Sequence, residues 1–160
     1  GGKGLFVKEL EAALLDGAVR IASGDIRRRG TLTRDYHPCP TVRGSTHQLS
    51  QVLLNLLLNA VKALAVGGSG KVHVEVRPVG GNVVVSVTDN GHGIPAAVQP
   101  RIFEALFSAW PSEPGTGLGL HVCREIVAAH GGSISFESSE GVGTTFRVSL
   151  PGEKVLPPAP

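Results

Sequence analysis

The stretch from Gln48 to Leu64, QLSQVLLNLLLNAVKAL, constrains the fold of this 160-residue chain more than any other segment. At about 100° per residue it predicts a helix that is apolar around most of its circumference and therefore largely buried. Such a helix still carries a narrow polar stripe, which is either its solvent side or the lining of a pocket, where amide oxygens can hold a cation and a lysine an anion. The stripe consists of Gln48, Gln51, Asn55, Asn59 and Lys62.

Composition and charge limit the class of protein. The chain is 41% hydrophobic with a formal net charge of +2, which suits one domain with a proper core. The basic run Arg27–Arg29 precedes Gly30 and is interpreted as a helix-end cap. Nucleic-acid binding is not expected, because the basic run is short and only 4% of the residues are aromatic. Cys39 and Cys123 form no CxxC or His/Cys cluster, so neither a zinc site nor a disulfide framework is predicted, and free thiols suit the cytoplasm.

The chain is expected to be a fragment of a longer protein, because it contains no methionine and begins Gly1-Gly2. No uninterrupted apolar run reaches transmembrane length and no signal peptide is recognisable, so the fragment itself is not expected to insert into a membrane. Whether the parent protein is membrane-anchored is left open by the sequence.

The order of the predicted elements favours an α+β sandwich, with one helical layer on a mixed sheet. Helical periodicity predicts two further helices, and valine-rich segments with period two predict strands. Ser45 or Thr46 is expected to cap the long helix. The domain is expected to span residues 1–152, followed by a proline-rich tail at 153–160. The chain is expected to be loose from Pro151 on. The other predictions are helices at 8–23 and 118–130, strands at 5–7, 30–36, 71–77, 82–88, 133–138 and 144–150, a loop at 38–40, and a helical piece at 96–103.

Three glycine-bearing segments fall at predicted strand or helix ends: DNGHGIP (89–95), GTGLGL (115–120) and GVGT (141–144). Taken singly, each is explained by ordinary turns. The second, however, opens a helix with free backbone N–H groups, an arrangement that binds phosphate. The common nucleotide motifs are absent, because Ala65 and Val72 break a P-loop pattern around Lys71 and there is no GxGxxG fingerprint.

Five segments taken together resemble the ATP-binding domain of histidine kinases. QVLLNLLLNAVKAL, DNGHGIP, RIFEALFSAW, GTGLGL and GVGTTF stand in the order and spacing of that family's N, G1, F, G2 and G3 boxes. The similarity spans residues 5–150, and the fold is the Bergerat (GHKL) fold shared with gyrase, Hsp90 and MutL ATPases. The resemblance implies a two-layer α/β sandwich with a mobile lid that binds ATP and Mg²⁺ and donates the γ-phosphoryl group to a histidine in two-component signalling.

The resemblance also implies roles for individual residues. Asn59 matches the amide ligand of Mg²⁺, an oxygen ligand suited to a hard cation. Asn55 would line the same pocket, Lys62 matches a lysine that reaches the phosphates, and Asp89 matches the carboxylate that accepts the adenine amino group. The other implied nucleotide-binding positions admit the base, hinge and anchor the lid, or contact adenine: Gly91, Gly93, Ile94, Gly115, Thr116, Gly117, Leu118, Gly119, Leu120 and Thr144.

Asn55 bears on the type of reaction. Hydrolytic relatives carry a glutamate at this position, whereas an asparagine cannot act as a general base. We therefore expect poor hydrolysis and transfer to an external nucleophile. None of the six histidines is followed by Glu or Asp, as the family's acceptor would be. The acceptor is thus expected on a separate helical dimerisation domain, with a response regulator downstream, and the fragment alone is expected to be monomeric.

One departure from the family pattern keeps alternatives open. Relatives with a short lid usually carry a cation just after the F box, where this chain has Ser108-Ala109-Trp110, and no Lys or Arg occurs between Arg101 and Arg124. Loss of a cationic phosphate clamp would cost on the order of 10³-fold in rate. A kinase, a non-catalytic nucleotide-binding or docking module, and an anti-sigma-type serine kinase therefore all remain compatible with the sequence.

Overall fold

A mixed β-sheet covered on one face by helices forms the body of the protein in the computed structural model, which describes residues 3–5, 28–65, 67–105, 107 and 119–153. Two helices lie wholly within these residues, and a 3-10 turn spans Gln99–Arg101. The predicted α+β sandwich is confirmed. The elements are β1 (Lys3–Leu5), β2 (Gly30–Tyr36), β3 (Val42–Gly44), α1 (Thr46–Ala63), β4 (Gly70–Val79), β5 (Asn82–Asp89), α2 (Gly119–Ala129), β6 (Ser133–Ser139) and β7 (Gly143–Pro151).

The main sheet has five strands in the order β2-β4-β5-β7-β6. β2 runs parallel to β4, and the other neighbours are antiparallel. β1 and β3 form a separate antiparallel pair, joined to the end of β7 by a bridge between Val42 and Gly152. The order places the ends of β5 and β7 side by side, so residues that leave the sheet there can share one site.

Valine alternation decides which face of the sheet is buried. In β4 and β5 every second residue is buried over most of the strand, and successive side chains of a strand point to opposite faces. α1 packs on the apolar face, which confirms the predicted buried helix. Side chains that meet in this core include Leu49, Val52, Leu56, Leu57, Val74, Val76, Val85, Val87, Phe146 and Val148.

The two ends of α1 are held by residues distant in sequence. At its start Ser45, one of the two predicted candidates, is the N-cap, and its hydroxyl accepts the Gln48 N–H at 3.2 Å. His130 Nε2 accepts the Ser45 N–H at 3.1 Å, and His130 Nδ1 donates to the Ile126 carbonyl at 2.8 Å. One imidazole therefore joins the end of α2 to the start of α1.

Arg28 and Arg29 end a helical segment just before Gly30, as the basic run predicted, and Arg29 also caps a second helix, α1. The Arg29 guanidinium donates to the carbonyls of Val61, Lys62 and Leu64 at 3.2–3.4 Å, which lie at the C-terminal end of α1. Carbonyls in the last turn of a helix have no partner within the helix, and a cation there also interacts favourably with the helix dipole. Arg29 therefore stabilises the end of the helix that carries the polar stripe.

Other boundaries differ from the sequence predictions in small ways. β3 was not anticipated because its three residues are too few to show a period, and the helical piece at 96–103 is only one 3-10 turn. β4 extends to Val79, so the hairpin turn is Gly80-Gly81 alone, both with positive φ, as the tight two-residue turn requires. The first strand lies at residues 3–5, and the predicted helix at 8–23 lies outside the described residues.

The chain remains attached to the domain beyond the point where a loose tail was expected. Pro151 belongs to β7, and the Glu153 N–H donates to the Thr41 carbonyl at 2.6 Å. Glu153 also pairs with Arg43 at 2.6 Å. The expectation of looseness from Pro151 is therefore wrong for residues 151–153, and residues 154–160 lie outside the described part. No helix in the described residues combines the length and the apolarity needed to cross a bilayer.

Candidate functional site

Asp89 is a buried carboxylate at the end of β5. It is 6% exposed, and its Oδ1 accepts the Gly91 N–H at 2.9 Å. Burial raises the pKa of Asp89 above its usual value, and the backbone amides of Gly91 and Thr144, together with nearby His92, lower the pKa in part. An ionised carboxylate offers about four acceptor positions. Two amides leave capacity for a further donor at the edge of the sheet.

Thr144 lies directly opposite Asp89 in the β5–β7 ladder and is also buried. Its hydroxyl lies 2.8 Å from the Ser138 hydroxyl on β6, and Ser138 in turn accepts the Ile94 N–H at 2.8 Å. Ser138 thus holds both Thr144 and the backbone beside Asp89. Sequence reasoning missed it, because one serine among several in a polar strand carries no distinguishing signal.

Gly91 and Gly93 are required by close backbone approach. A Cβ at Gly91 would lie 2.3 Å from the Ala63 carbonyl oxygen, and one at Gly93, where φ is +72°, would lie 2.2 Å from the Ser139 carbonyl oxygen. The residue between them, His92, donates its N–H to Ala63 at 3.1 Å and accepts the Gly141 N–H at 2.7 Å. The segment is thereby clamped between the end of α1 and the β6–β7 turn; contact of these glycines with a base stays a prediction.

This clamp gives a testable difference between two glycines with similar backbone conformation. Gly93 and Gly141 both have positive φ, +72° and +80°, but nothing lies within 4 Å of a Cβ at Gly141. Gly141→Ala should cost about 1–2 kcal/mol of unfolding free energy from backbone strain alone. Gly93→Ala should cost about 1–3 kcal/mol more, from overpacking against Ser139. Urea unfolding followed by circular dichroism measures both; equal losses would show that the Ser139 contact does not constrain the loop.

Asn55, Asn59 and Lys62 lie on one side of α1, at i, i+4 and i+7. Both asparagines are half-buried and Lys62 is exposed. Asn55 Nδ2 lies 3.7 Å from Cys123 Sγ on α2, a neighbour that sequence reasoning did not anticipate. Within the described residues the side chains of Asn59 and Lys62 make no hydrogen bond or ion pair, so an amide and an ammonium remain available for a ligand.

The remaining predicted positions fall into two groups. Ile94 is buried in the core, and Leu120 is a half-buried residue that packs against the core. Gly119 begins α2 next to Asn55, and a Cβ at this glycine would lie 3.8 Å from Asn55 Cγ. The structure therefore brings α1, the Asp89 segment and the start of α2 to one edge of the domain. Predicted lid residues that lie outside the described part are Gly115, Thr116, Gly117 and Leu118, as are Ser108, Ala109 and Trp110.

The two cations on either side of the predicted lid are engaged with aromatic rings. The Arg101 guanidinium lies 4.6 Å from the centroid of Phe107 and pairs with Glu104 at 3.1 Å. The Arg124 guanidinium lies 5.4 Å from the centroid of Phe103. Stacking of this kind is favourable by roughly 0.5–1 kcal/mol at exposed sites. Among the described residues, neither arginine contacts Asn59 or Lys62.

Comparison with known proteins identifies the class. Residues 44–154 match the family described as histidine kinase-, DNA gyrase B-, and HSP90-like ATPase. The chain belongs to this ATPase family, so the resemblance of its five segments is confirmed. The sensor histidine kinase ZraS of Escherichia coli (strain K12) is 44% identical over 112 residues, which cover 70% of this chain and 23% of ZraS. The chain spans 22–23% of the length of the curated relatives KinB and ZraS that it matches.

Solved structures confirm the fold. A mycobacterial sensor histidine kinase, MprB, superposes with a TM-score of 0.78 at 26% identity, covering 97% of this chain and all of that one. Full-length ShkA, crystallised with AMPPNP, superposes with a TM-score of 0.80 at 27% identity, covering 99% of this chain and 33% of that one. The protein therefore has the GHKL fold of histidine-kinase catalytic domains.

Proposed function

We propose that this domain binds ATP with Mg²⁺ and donates the γ-phosphoryl group to a histidine on a separate helical domain of a two-component sensor kinase. The observation that carries the proposal is the buried Asp89 carboxylate with spare acceptor capacity, at the edge where α1 presents Asn59 and Lys62. Membership of the ATPase family and similarity to sensor histidine kinases support it.

Asp89 would select adenine. A carboxylate held between two backbone amides can accept the amino group at the 6-position of adenine, whereas guanine carries a carbonyl acceptor there, which the carboxylate repels. Thr144, paired with Asp89 across the sheet, would contribute a hydroxyl beside the base, and Gly91 and Gly93 would bring the backbone close to it. Burial strengthens such a contact, because water does not compete for the carboxylate.

Asn59 and Lys62 would hold the charged end of the nucleotide. The Asn59 amide oxygen is an oxygen ligand of the kind Mg²⁺ prefers and has no protein partner within the described residues, so the residues present fit this ion. The Lys62 ammonium would pair with a phosphate. When bound, Mg²⁺ would neutralise phosphate charge. Gly115, Gly117 and Gly119 would form the hinge of a lid over the triphosphate, Leu118 and Leu120 would anchor it, and Thr116 would belong to the same nucleotide-binding segment.

Asn55 favours transfer over hydrolysis. An amide cannot take a proton from water, so the domain itself supplies no general base at this position. A neutral imidazole on a partner domain needs none, since its unprotonated nitrogen already carries a lone pair. Phosphoryl transfer then depends mainly on positioning and charge neutralisation. Because Arg101 and Arg124 are stacked on phenylalanines, a further cation for the phosphates would come from the partner domain.

The partners and the compartment follow from the same proposal. Residues 1–152 would form the catalytic domain, followed by a short tail, and this fragment alone would be monomeric. In the parent kinase it would dock on a helical dimerisation and acceptor domain, with a response regulator downstream. The AMPPNP complex of ShkA supports nucleotide binding by this fold. Two free cysteines, Cys39 and Cys123, suit a cytoplasmic location.

Phosphoryl transfer to a cognate acceptor domain tests the proposal. The chain is incubated with Mg²⁺, ATP labelled on its γ-phosphoryl group, and that acceptor domain. Acid-labile, base-stable label on the acceptor is expected, because phosphohistidine hydrolyses in acid. Acid-stable label would instead identify a serine kinase. Tight ADP binding without any label would identify a non-catalytic nucleotide-binding module, the alternative that the uncharged segment Ser108–Trp110 favours.

A further inference from the structure

Three side chains with metal-binding groups, Asp35, His37 and Glu75, lie together on the face of the sheet opposite α1. Glu75 stands between the buried valines Val74 and Val76 on β4, so its side chain is on the other face of the strand. Asp35 on β2 is the register partner of Glu75 in the parallel β2–β4 ladder. The two carboxylates are therefore neighbours on one surface.

His37 is held on the same surface by the backbone at the end of β2. Its N–H donates to the Val76 carbonyl at 2.9 Å, which continues the pairing with β4 by one residue. Its side chain therefore follows the strand alternation and shares a face with Asp35, two residues earlier. The Cys39 thiol donates to the His37 carbonyl at 3.2 Å, which fixes this segment further.

The distances between the three groups suit a single metal ion. One ligand atom from each side chain can be chosen so that all three lie within 4.8 Å of one another. His37 Nε2 lies 3.4 Å from Asp35 Oδ2. Two ligands of a tetrahedral Zn²⁺ ion, each about 2.0–2.1 Å from the metal, lie roughly 3.4 Å apart. The His37–Asp35 pair already has this spacing, and a small rotation of the half-buried Glu75 side chain would complete the set.

The charge and the chemistry of the donors select the class of ion. Arg77 Nε lies 3.3 Å from Glu75 Oε1, so two carboxylates outweigh one cation and the cluster attracts positive charge. A carboxylate has about four acceptor positions, so Arg77 leaves Glu75 Oε2 for a metal, and outer partners of this kind orient ligating carboxylates. An imidazole nitrogen suits Zn²⁺, whereas Mg²⁺ and Ca²⁺ prefer oxygen ligands.

We propose that Asp35, His37 and Glu75 form a binding site for a divalent transition-metal ion of the Zn²⁺ type, with water in the remaining coordination positions. The site is separate from the Mg²⁺ ion proposed at Asn59, because α1 covers the other face of the sheet, and it does not depend on the proposed function. A bound ion would join β2, at one end of the five-strand order, to β4. The sequence predicted no zinc site because the ligands come from two strands distant along the chain and form no His/Cys motif.

Titration calorimetry of the nucleotide-free chain with Zn²⁺ tests this site. One ion per chain is expected, with a Kd on the order of 10⁻⁶ M, weaker than structural zinc sites with four ligands. His37→Gln and Asp35→Asn should each weaken binding by at least about tenfold. His47→Gln, which removes another exposed imidazole at the start of α1, is the matched control and should bind Zn²⁺ as the wild type does.

Thermal unfolding gives a second measurement of the same site. Zn²⁺ at about 100 times its Kd should raise the Tm of the wild type by about 5 °C, and His37→Gln should show no such rise. Asp35 and His37 are exposed, so their replacement should leave the zinc-free Tm close to that of the wild type. A wild-type Kd weaker than about 10⁻⁴ M would overturn the site. So would equal affinity and an equal rise in Tm for His37→Gln and the wild type.

Discussion

Replacing Asp89 by asparagine is expected to weaken ADP and ATP binding by about 10²-fold while leaving the nucleotide-free domain at least as stable as the wild type at pH 7. The carboxylate already accepts from the backbone amides of Gly91 and Thr144 and would accept a third donor from adenine. The single amide oxygen of asparagine has two lone pairs, which can keep the two backbone amides, so the adenine amino group would face an NH₂ group. A charge-assisted hydrogen bond and an unsatisfied donor together account for roughly 3 kcal/mol, or about 10²-fold.

The expected stability of Asp89→Asn follows from the direction in which folding shifts the pKa of Asp89. Burial raises this pKa in the folded state, so the folded protein holds the proton more readily than the unfolded chain does. Stability therefore falls as pH rises from the ordinary Asp pKa through the raised one, and the cost of the buried charge is complete above it. Asp89→Asn removes that cost. Its advantage over the wild type should be largest at neutral pH and should disappear as pH falls below the ordinary pKa.

Calorimetry measures the loss of nucleotide binding. Thermal unfolding from pH 4 to about 7 measures the pH dependence of stability. Asp35→Asn, which removes an exposed carboxylate from β2, is the matched control and should not change nucleotide binding. Equal ADP affinity in Asp89→Asn and the wild type would contradict the assignment of Asp89 to the base. A variant that unfolds more easily than the wild type at pH 7 would contradict the cost assigned to the buried charge.

Removing the Asn59 amide should slow phosphoryl transfer by about 10²–10³-fold with little loss of stability. Asn59→Ala deletes the oxygen proposed as a Mg²⁺ ligand, and the charge stabilisation given by a bound metal amounts to several kcal/mol. Because Asn59 is half-buried and its side chain has no hydrogen bond within the described residues, its removal should leave no unsatisfied partner in the protein. ADP binding without Mg²⁺ should therefore be retained.

The measurement is the initial rate of acceptor phosphorylation at saturating ATP, over a series of Mg²⁺ concentrations. Gln51→Ala, at an exposed position on the same polar stripe about two turns earlier on α1, is the matched control and should transfer at the wild-type rate. An unchanged rate in Asn59→Ala at low Mg²⁺ would remove Asn59 from the metal site. Equal losses in both variants would point to a general effect on α1.

Much of the fold was readable from local patterns. The alternation of valines predicted β4 and β5, because the side chains of a strand alternate between its two faces. The helical period of residues 48–64 predicted α1, with Ser45 as one of two candidate caps. β3 was missed because its pairing with β1 depends on contacts between distant residues. The attachment of residues 151–153 to the domain was missed because the hydrogen bond between the Glu153 N–H and the Thr41 carbonyl joins distant residues and has no local signal.

The sequence by itself determined the family, because five segments stand in the order and spacing of its motifs. It also predicted a candidate site at Asn55, Asn59, Lys62, Asp89 and the glycine segments. Only the tertiary structure decided how several of these groups are held. Cys123 meets Asn55 across 68 positions, and Ser138 meets Ile94 across 44. Neither contact is implied by the residues around it, because each depends on how α1, α2 and the sheet pack together, and that packing sets which lone pair faces which N–H group.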